Sequence, residues 1–162
     1  MRNKSNLHVR LHSLASLDTE ARVALDHQQQ HYLMHVMRLG DGDQIYLFNA
    51  ANGEWQARLD LSGGDFQAIC SHMIRPGEPL SGPVLYCSPI RRVAQEWLLQ
   101  KACELGVSKL TPVLMDHTQA GPIHHDRAGR ILREASEQSG RVTVPIIDQP
   151  ISFDAMLELT KT

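Results

Sequence analysis

The feature that most constrains the fold is a change of hydrophobic period across one short segment, RPGEPLSGP at positions 75–83. Three prolines and two glycines in nine residues support neither a helix nor a strand, so the segment reads as a linker. Before it, apolar residues recur every second position. After it, compact apolar runs alternate with stretches of helical spacing. The chain is therefore expected to form two units, residues 1–75 and 84–162, joined by a linker at 76–83.

In the first unit, LHVRLH (7–12) and QIYLF (44–48) alternate apolar and polar residues as half-buried strands do. WQARLDL (55–61) follows the turn NAANGE, whose Asn52-Gly53 pair suits positive φ, and FQAIC (66–70) follows the Gly63-Gly64 turn. One helix is expected over roughly 28–38, with Tyr32, Val36 and Leu39 at helical spacing. A small β-barrel with one or two helices fits this pattern.

The second unit reads strand, helix, strand, helix, strand. VLYCS (84–88), KLTPVLM (109–115) and VPII (144–147) are the strands. Residues 92–105 place Ala94, Trp97, Leu98, Ala102 and Leu105 on one helical face. Residues 126–139 do the same with Ala128, Ile131, Leu132 and Ala135, with Asp126 as N-cap and Gly140 as the C-terminal stop. Such alternation argues for a doubly wound α/β sheet. FDAMLEL (153–159) reads as a further helix, and three strands with two such helices make one end of a doubly wound domain. The chain is thus expected to stop inside that domain.

Charge narrows the function classes. Sixteen Lys and Arg against eighteen Asp and Glu give a net charge of −2, so binding to nucleic acid must rest on a local patch. Cys70, Cys87 and Cys103 form no C-x-x-C pair and read as reduced thiols. No signal peptide and no run of apolar residues long enough for a membrane span is present, which implies a soluble, cytoplasmic protein. His31 and His35 stand at i, i+4, but Tyr32 replaces the general-base Glu of H-E-x-x-H, and no metal site is expected.

Polar residues at the helix ends are the candidate site. Lys101 and Glu104 close the first α/β helix before Gly106, and Gln138 and Arg141 flank Gly140 at the end of the second. An anion near a helix C-terminus opposes the dipole, as do the paired cations Arg91-Arg92 at a helix start. Arg91 and Arg92 also follow a strand end, the side on which open α/β sheets bind ligands. Arg10 and Arg38 are the matching cations of the first unit.

Three runs together resemble one family. HYLMHVMRLGDGDQIYLFNAANGEWQARL (31–59), QEWLLQKACELGVSKLTPV (95–113) and ASEQSGRVTVP (135–145) are similar, in this order, to motifs of the RsmE family of 16S ribosomal RNA uridine-N3 methyltransferases. The resemblance implies a PUA-like β-barrel that binds RNA, followed by a SPOUT-type α/β domain. It also implies S-adenosylmethionine as methyl donor, 16S rRNA or the small ribosomal subunit as partner, and a homodimer formed through the SPOUT domain. The family's GPEGG loop and its later donor-binding loop do not occur here, so the donor site and its knot are expected beyond residue 162 and the span alone is expected to be inactive. Asp116-His117 stands where the family has an ER pair, and Arg91 where it often has lysine.

On this resemblance Arg141 acts near the uracil or its phosphate, Gln138 orients it, and Glu104 fixes Lys101 or Arg141. Arg10, Arg38, Arg91, Arg92 and Lys101 form the RNA-binding track. Two other readings remain open: a non-catalytic RNA-binding fragment, and a small-molecule α/β enzyme that shares the scaffold.

Overall fold

A computed structural model describes residues 9–62, 66–118, 121 and 123–161. The expected Gly63-Gly64 turn and the first residues of the 7–12 strand lie outside the described residues. The chain forms two compact units, Met1–Pro79 and Leu80–Thr162.

Five strands make the sheet of the first unit: β1 (Arg10–His12), β2 (Arg22–Ala24), β3 (Gln44–Asn49), β4 (Gly53–Asp60) and β5 (Gln67–Arg75). Their order is β1-β3-β4-β5-β2. β1 runs parallel to β3, and the other pairings are antiparallel. The period-two pattern does what it implies: Ile45 and Leu47, then Trp55, Ala57 and Leu59, then Ala68 and Cys70 all point into one core with Leu11 and Val23. Burying each large member contributes roughly 1.5–3 kcal/mol. β2 escaped the sequence reading because three residues are too few to display a period.

The helix of this unit starts as read and ends differently. α1 (His27–His31) is capped by Asp26, whose side chain accepts from Gln29 N while the Gln29 side chain returns to Asp26 N. A π-helical turn, Tyr32–Val36, follows it. The wider turn rotates the apolar set, so Leu33 and Leu39 are buried while Val36, expected on the core face, is 60% exposed. Arg38 then reverses the chain with φ of 56°, a left-handed conformation uncommon for a non-glycine residue.

In the second unit β6 (Val84–Cys87), β7 (Lys109–Leu114) and β8 (Ile146–Ile147) are parallel, and β9 (Ile151–Ser152) pairs with the far end of β7. α2 (Arg92–Glu104) and α3 (His125–Ser139) are the crossovers, and α4 (Phe153–Leu159) follows β9. Right-handed connections along the order β6-β7-β8 set α2 and α3 side by side. Leu99, Ala102 and Cys103 accordingly pack with Ala128, Leu132 and Ala135 over Leu110.

The buried face of α2 differs from the expected one. Gln95, Leu99, Ala102 and Cys103 are inside, whereas Trp97 and Leu105 are 63% and 81% exposed. Apolar residues surround this helix, so their spacing permits two faces, and the partner helix α3 selects between them. α3 begins one residue earlier than read: His124, two residues before the expected cap, is the N-cap, and Asp126 lies in the first turn. Gly140 ends it at φ of 79°, as expected.

Close backbone approach explains three glycines, one at the β3–β4 turn and two in the linker. A Cβ on Gly53 would meet Arg75 O at 2.2 Å, and one on Gly77 would meet Ala50 O at 2.4 Å. The β3–β4 turn is thus pressed onto the chain that leaves β5. Gly82 is pressed in the same way onto Gly106 O, at 2.3 Å, and its own carbonyl accepts from Ser108 Oγ at 2.8 Å.

Candidate functional site

Both crossover helices start at the carboxyl edge of the parallel sheet. β6 leads through 88–91 into α2, and β7 leads through 115–124 into α3. Ser88 Oγ and Thr118 Oγ1 stand 3.2 Å apart and tie the two connections together, and Thr118 Oγ1 also accepts from Met115 N at 2.8 Å. Neither N-cap residue, Arg91 or His124, caps its helix with its side chain.

Between these helix starts lies a cleft of about 600 Å³. Leu99, Ile123 and Ile131 form its apolar wall, and Arg91, Arg92, Arg127, Gln95 and Glu96 supply polar groups. Glu96 Oε1 accepts from Arg127 Nε at 2.7 Å and from Arg92 Nε at 3.0 Å. These bonds, that of Arg127 first, hold the Glu96 carboxyl down at about 2, so it is anionic at neutral pH. Gln95 Oε1 accepts from Ile90 N at 3.2 Å, while its Nε2 is buried and has no partner among the described residues.

The other expected residues of this unit gather at the opposite end of α2, about 18 Å along the helix at 1.5 Å per residue. Glu104 accepts from Lys101 Nζ at 2.6 Å and from Gln100 Nε2 at 2.9 Å. The bond from Lys101, before that from Gln100, lowers the Glu104 carboxyl below the ordinary carboxylate range. Arg141 Nη1 donates to Cys103 O at 2.8 Å and Val107 O at 3.0 Å, and its Nη2 donates to Thr143 Oγ1 at 3.0 Å. Acceptors of the chain itself thus engage the guanidinium that the sequence reading gave to the uracil, and they tie it to the end of α2. Gln138 is exposed on the last turn of α3.

In the first unit Arg38 is exposed, and Arg10 is enclosed. Arg10 Nε donates to Glu54 Oε1 at 2.5 Å, Arg75 Nε donates to Glu54 Oε2 at 2.7 Å, and the Arg10 guanidinium lies 4.4 Å over the Phe48 ring. Arg10 therefore braces the edge strand β1 against β4 and β5. The exposed rings of His31 and His35 are 4.8 Å apart.

Sequence reasoning missed Gln95, Glu96 and Arg127. The i, i+4 spacing of Arg92 and Glu96 is a visible signal. Arg127 reaches Glu96 across 31 residues, for which no local pattern exists. Burial raises the thiols of Cys70, to about 11, and of Cys87, which removes both as nucleophiles near neutral pH. No helix is long and apolar enough to cross a membrane, and no cluster of metal-ligating side chains is present, among the described residues.

Comparison with known proteins agrees with this two-unit layout. Residues 78–162 match the family model described as an RNA methyltransferase domain, and residues 25–68 match an RNA methyltransferase PUA domain. The ribosomal RNA small subunit methyltransferase E of Synechocystis is 32% identical over 142 residues, which is 86% of this chain and 46% of that protein. Its counterpart in Rickettsia conorii is 26% identical over 149 residues, 91% of this chain and 61% of that protein. The chain spans about half the length of the curated relatives it matches.

Among solved structures, ribosomal RNA small subunit methyltransferase E of Neisseria gonorrhoeae bound to S-adenosyl methionine superposes with a TM-score of 0.79 at 26% identity, covering 96% of this chain and 67% of that one. A putative methyltransferase of Legionella pneumophila with bound cofactor gives 0.81 at 22% identity over the same shares, a likeness of fold. The first unit has the PUA-like architecture and the second that of the SPOUT methyltransferases, as the sequence implied.

Proposed function

The chain belongs to the family of RNA methyltransferase domains, and from that premise we propose that it is the RNA-facing span of an RsmE-type enzyme that methylates N3 of a uridine in 16S ribosomal RNA. The observation that carries the reading is the order of the two matched domains, PUA at 25–68 and methyltransferase at 78–162, on units that fold accordingly. In this reading residues 1–75 grip RNA, 84–162 begin the methyltransferase domain, and S-adenosylmethionine is the donor.

The chemistry sets what such a span must do. Uridine N3–H is a weak acid and its neutral nitrogen a poor nucleophile, so developing charge on O2 and O4 needs cations or donors held in place. N3 lies on the Watson–Crick edge, so the base must be unpaired before it reacts. The exposed cations Arg38, Arg91 and Arg92 suit phosphate contacts, with Lys101 carrying a charge at the far end of α2. Arg10, Arg141, Gln138 and Glu104 enter as residues that shape the surfaces around those contacts.

The α2–α3 cleft does not suit the donor. Three guanidinium groups against one carboxylate would repel the sulfonium cation. We therefore assign the donor site to the part of the relatives' length that this chain does not cover. On that assignment the 162-residue span binds RNA without transferring methyl. The exposed Val93, Trp97 and Leu105 on α2 support a homodimer formed through the second unit.

Two measurements test the reading. A protein extended to the relatives' full length should methylate unmodified small ribosomal subunits at a uridine N3, and absence of transfer would refute the activity. Calorimetry should find S-adenosylmethionine binding to the extended protein alone. Tight binding by the 162-residue chain would contradict the placement of the donor site.

A further inference from the structure

The π-helical turn Tyr32–Val36 places two aromatic rings as well as rotating the apolar set. In an α-helix residues four apart overshoot one turn, and the wider π turn brings them closer to register. His31 and His35 accordingly stand together, with ring centroids 4.8 Å apart and planes tilted by 41°. Both residues are exposed, and so are Met34 and Val36 beside them. Of the five residues of the turn only Leu33 is buried, so most of it faces solvent.

Two further features belong to the same segment. Arg38, exposed, follows the turn with φ of 56°. A non-glycine residue held in that conformation is strained, and residues so held cluster at functional sites. The second feature is charge. From Gln28 to Gly40 the chain carries no carboxylate, although it has eighteen Asp and Glu and a net charge of −2. The flanking acids are engaged by main-chain N–H groups: Asp26 by Gln29 N at 2.8 Å, Asp41 by Leu61 N at 2.9 Å and Asp43 by Gly40 N at 2.8 Å.

This combination selects a partner. No group of three metal-ligating side chains forms among the described residues, so the histidine pair does not make a metal centre. An apolar peptide would cover Met34 and Val36 and leave the arginine unused. An inorganic anion would meet Arg38 and leave the rings unused. An unpaired nucleotide engages them together, with its base against an imidazole ring and its phosphate at the guanidinium. The turn also lies inside residues 25–68, the span that matches an RNA methyltransferase PUA domain.

We propose that the segment His31–Arg38 is the surface by which the first unit holds RNA, stacking one unpaired base on the His31–His35 ring pair with its phosphate at Arg38. The proposal rests on the RNA reading above and adds to it the residues of the grip and the strand state they accept. A paired base keeps both faces inside its own stack, so a duplex has no free face to offer the rings.

The test follows the histidine ring resonances of the ¹⁵N-labelled 162-residue chain by NMR. Three ligands are titrated separately: a short uridine-rich single-stranded RNA, the same strand paired to its complement, and inorganic phosphate. The single strand is expected to shift the His31 and His35 rings, and the duplex and phosphate to leave them in place. Replacing both residues, His31→Ala with His35→Ala, should weaken single-strand binding about fivefold or more, the worth of one stacked base. His31→Phe with His35→Phe should retain the affinity, since stacking needs a ring and not an imidazole. RNA that binds without shifting either ring, and equally to the alanine variant, overturns the surface and spares the RNA reading. A duplex or phosphate that shifts the rings as strongly as the single strand overturns the stacked base, as do phenylalanine substitutions that weaken binding as alanine does. Failure of the wild-type chain to bind RNA overturns both the surface and the RNA reading. The ring shifts of the wild-type chain decide the matter even where a variant folds poorly.

Discussion

Arg141 donates from Nη1 to the carbonyl oxygen of Cys103 at 2.8 Å, and so fastens the residue that follows α3 to the last turn of α2. A second bond from the same nitrogen reaches Val107 O at 3.0 Å. Helix C-termini leave carbonyls without intrahelical partners, and a guanidinium answers both that need and the negative end of the dipole. Cys103 is held from the other side as well, with its Sγ 3.2 Å from Ser136 Oγ on α3. The two helix ends are thus joined by one polar clasp.

Replacing Arg141 by Ala should therefore destabilise the second unit by about 2–3 kcal/mol, the range for hydrogen bonds from a charged donor. Arg141→Lys should recover part of that, since an ammonium reaches fewer of the three acceptors. Urea denaturation of both variants measures it. A loss under about 0.5 kcal/mol would mean that the clasp is ornamental.

Glu54 makes a comparable demand on the first unit. Its carboxylate is 8% exposed and holds Arg10, itself 11% exposed, together with Arg75. Glu54→Gln should cost about 3–5 kcal/mol, because it strands a buried guanidinium. Replacing Glu54 by Leu and Arg10 by Met together should cost less than the single change. Thermal melts of the two variants give the comparison, and equal losses would argue against stranded charge as the cause.

Glu96 supplies a pH dependence with a definite sign. Its folded carboxyl titrates at about 2, against 4.5 for the free side chain. A depressed carboxylate stabilises the fold above its unfolded value, and that contribution fades as pH falls from about 4.5 toward 2. The melting-temperature difference between wild type and Glu96→Gln should be constant near neutrality and shrink across that window. Carbon-detected NMR of the Glu96 carboxyl should place its midpoint near 2, and a midpoint near 4.5 would remove Arg127 and Arg92 as its partners.

The two tryptophans should separate cleanly. Trp55 is 7% exposed and its Nε1 donates to Asn52 O at 2.8 Å, whereas Trp97 is 63% exposed. At concentrations that keep the chain monomeric, Trp55→Ala should cost about 3–5 kcal/mol and Trp97→Ala under about 0.5 kcal/mol. Under the same conditions acrylamide should quench Trp97 fluorescence in the Trp55→Phe variant far more than it quenches Trp55 in the Trp97→Phe variant. The reverse order would restore the helix face expected from spacing alone.

That expected face marks where the sequence is legible and where it is not. Period two located β3, β4 and β5 because their faces differ sharply, with Ile45 and Leu47 inside and Gln44 outside. The alternation of strand and helix located β6, α2, β7 and α3 for the same reason. α2 carries apolar residues all round, and only the presence of α3 decides that Leu99 goes in and Trp97 stays out. The π-helical turn at Tyr32–Val36 changes the residues per turn, which a fixed period cannot register. Residues that line the α2–α3 cleft divide in the same way. The place of Arg91 and Arg92 beside it is readable because they follow a strand end. The bond from Arg127 to Glu96 and the idle amide of Gln95 belong to tertiary contacts.

The paired glycine contacts on either side of the linker set the length of a leash. Gly77 is pinned against Ala50 and Gly82 against Gly106, which leaves Glu78 to Ser81 between the pins. Five peptide steps reach at most about 18 Å when fully extended. On the proposed reading, in which both units hold one RNA strand, so short a tether brings the second contact to high effective concentration. A side chain at Gly77 or Gly82 would prise a pin loose and lengthen the leash, which on that reading slackens the grip with Arg38, Arg91 and Arg92 still in place.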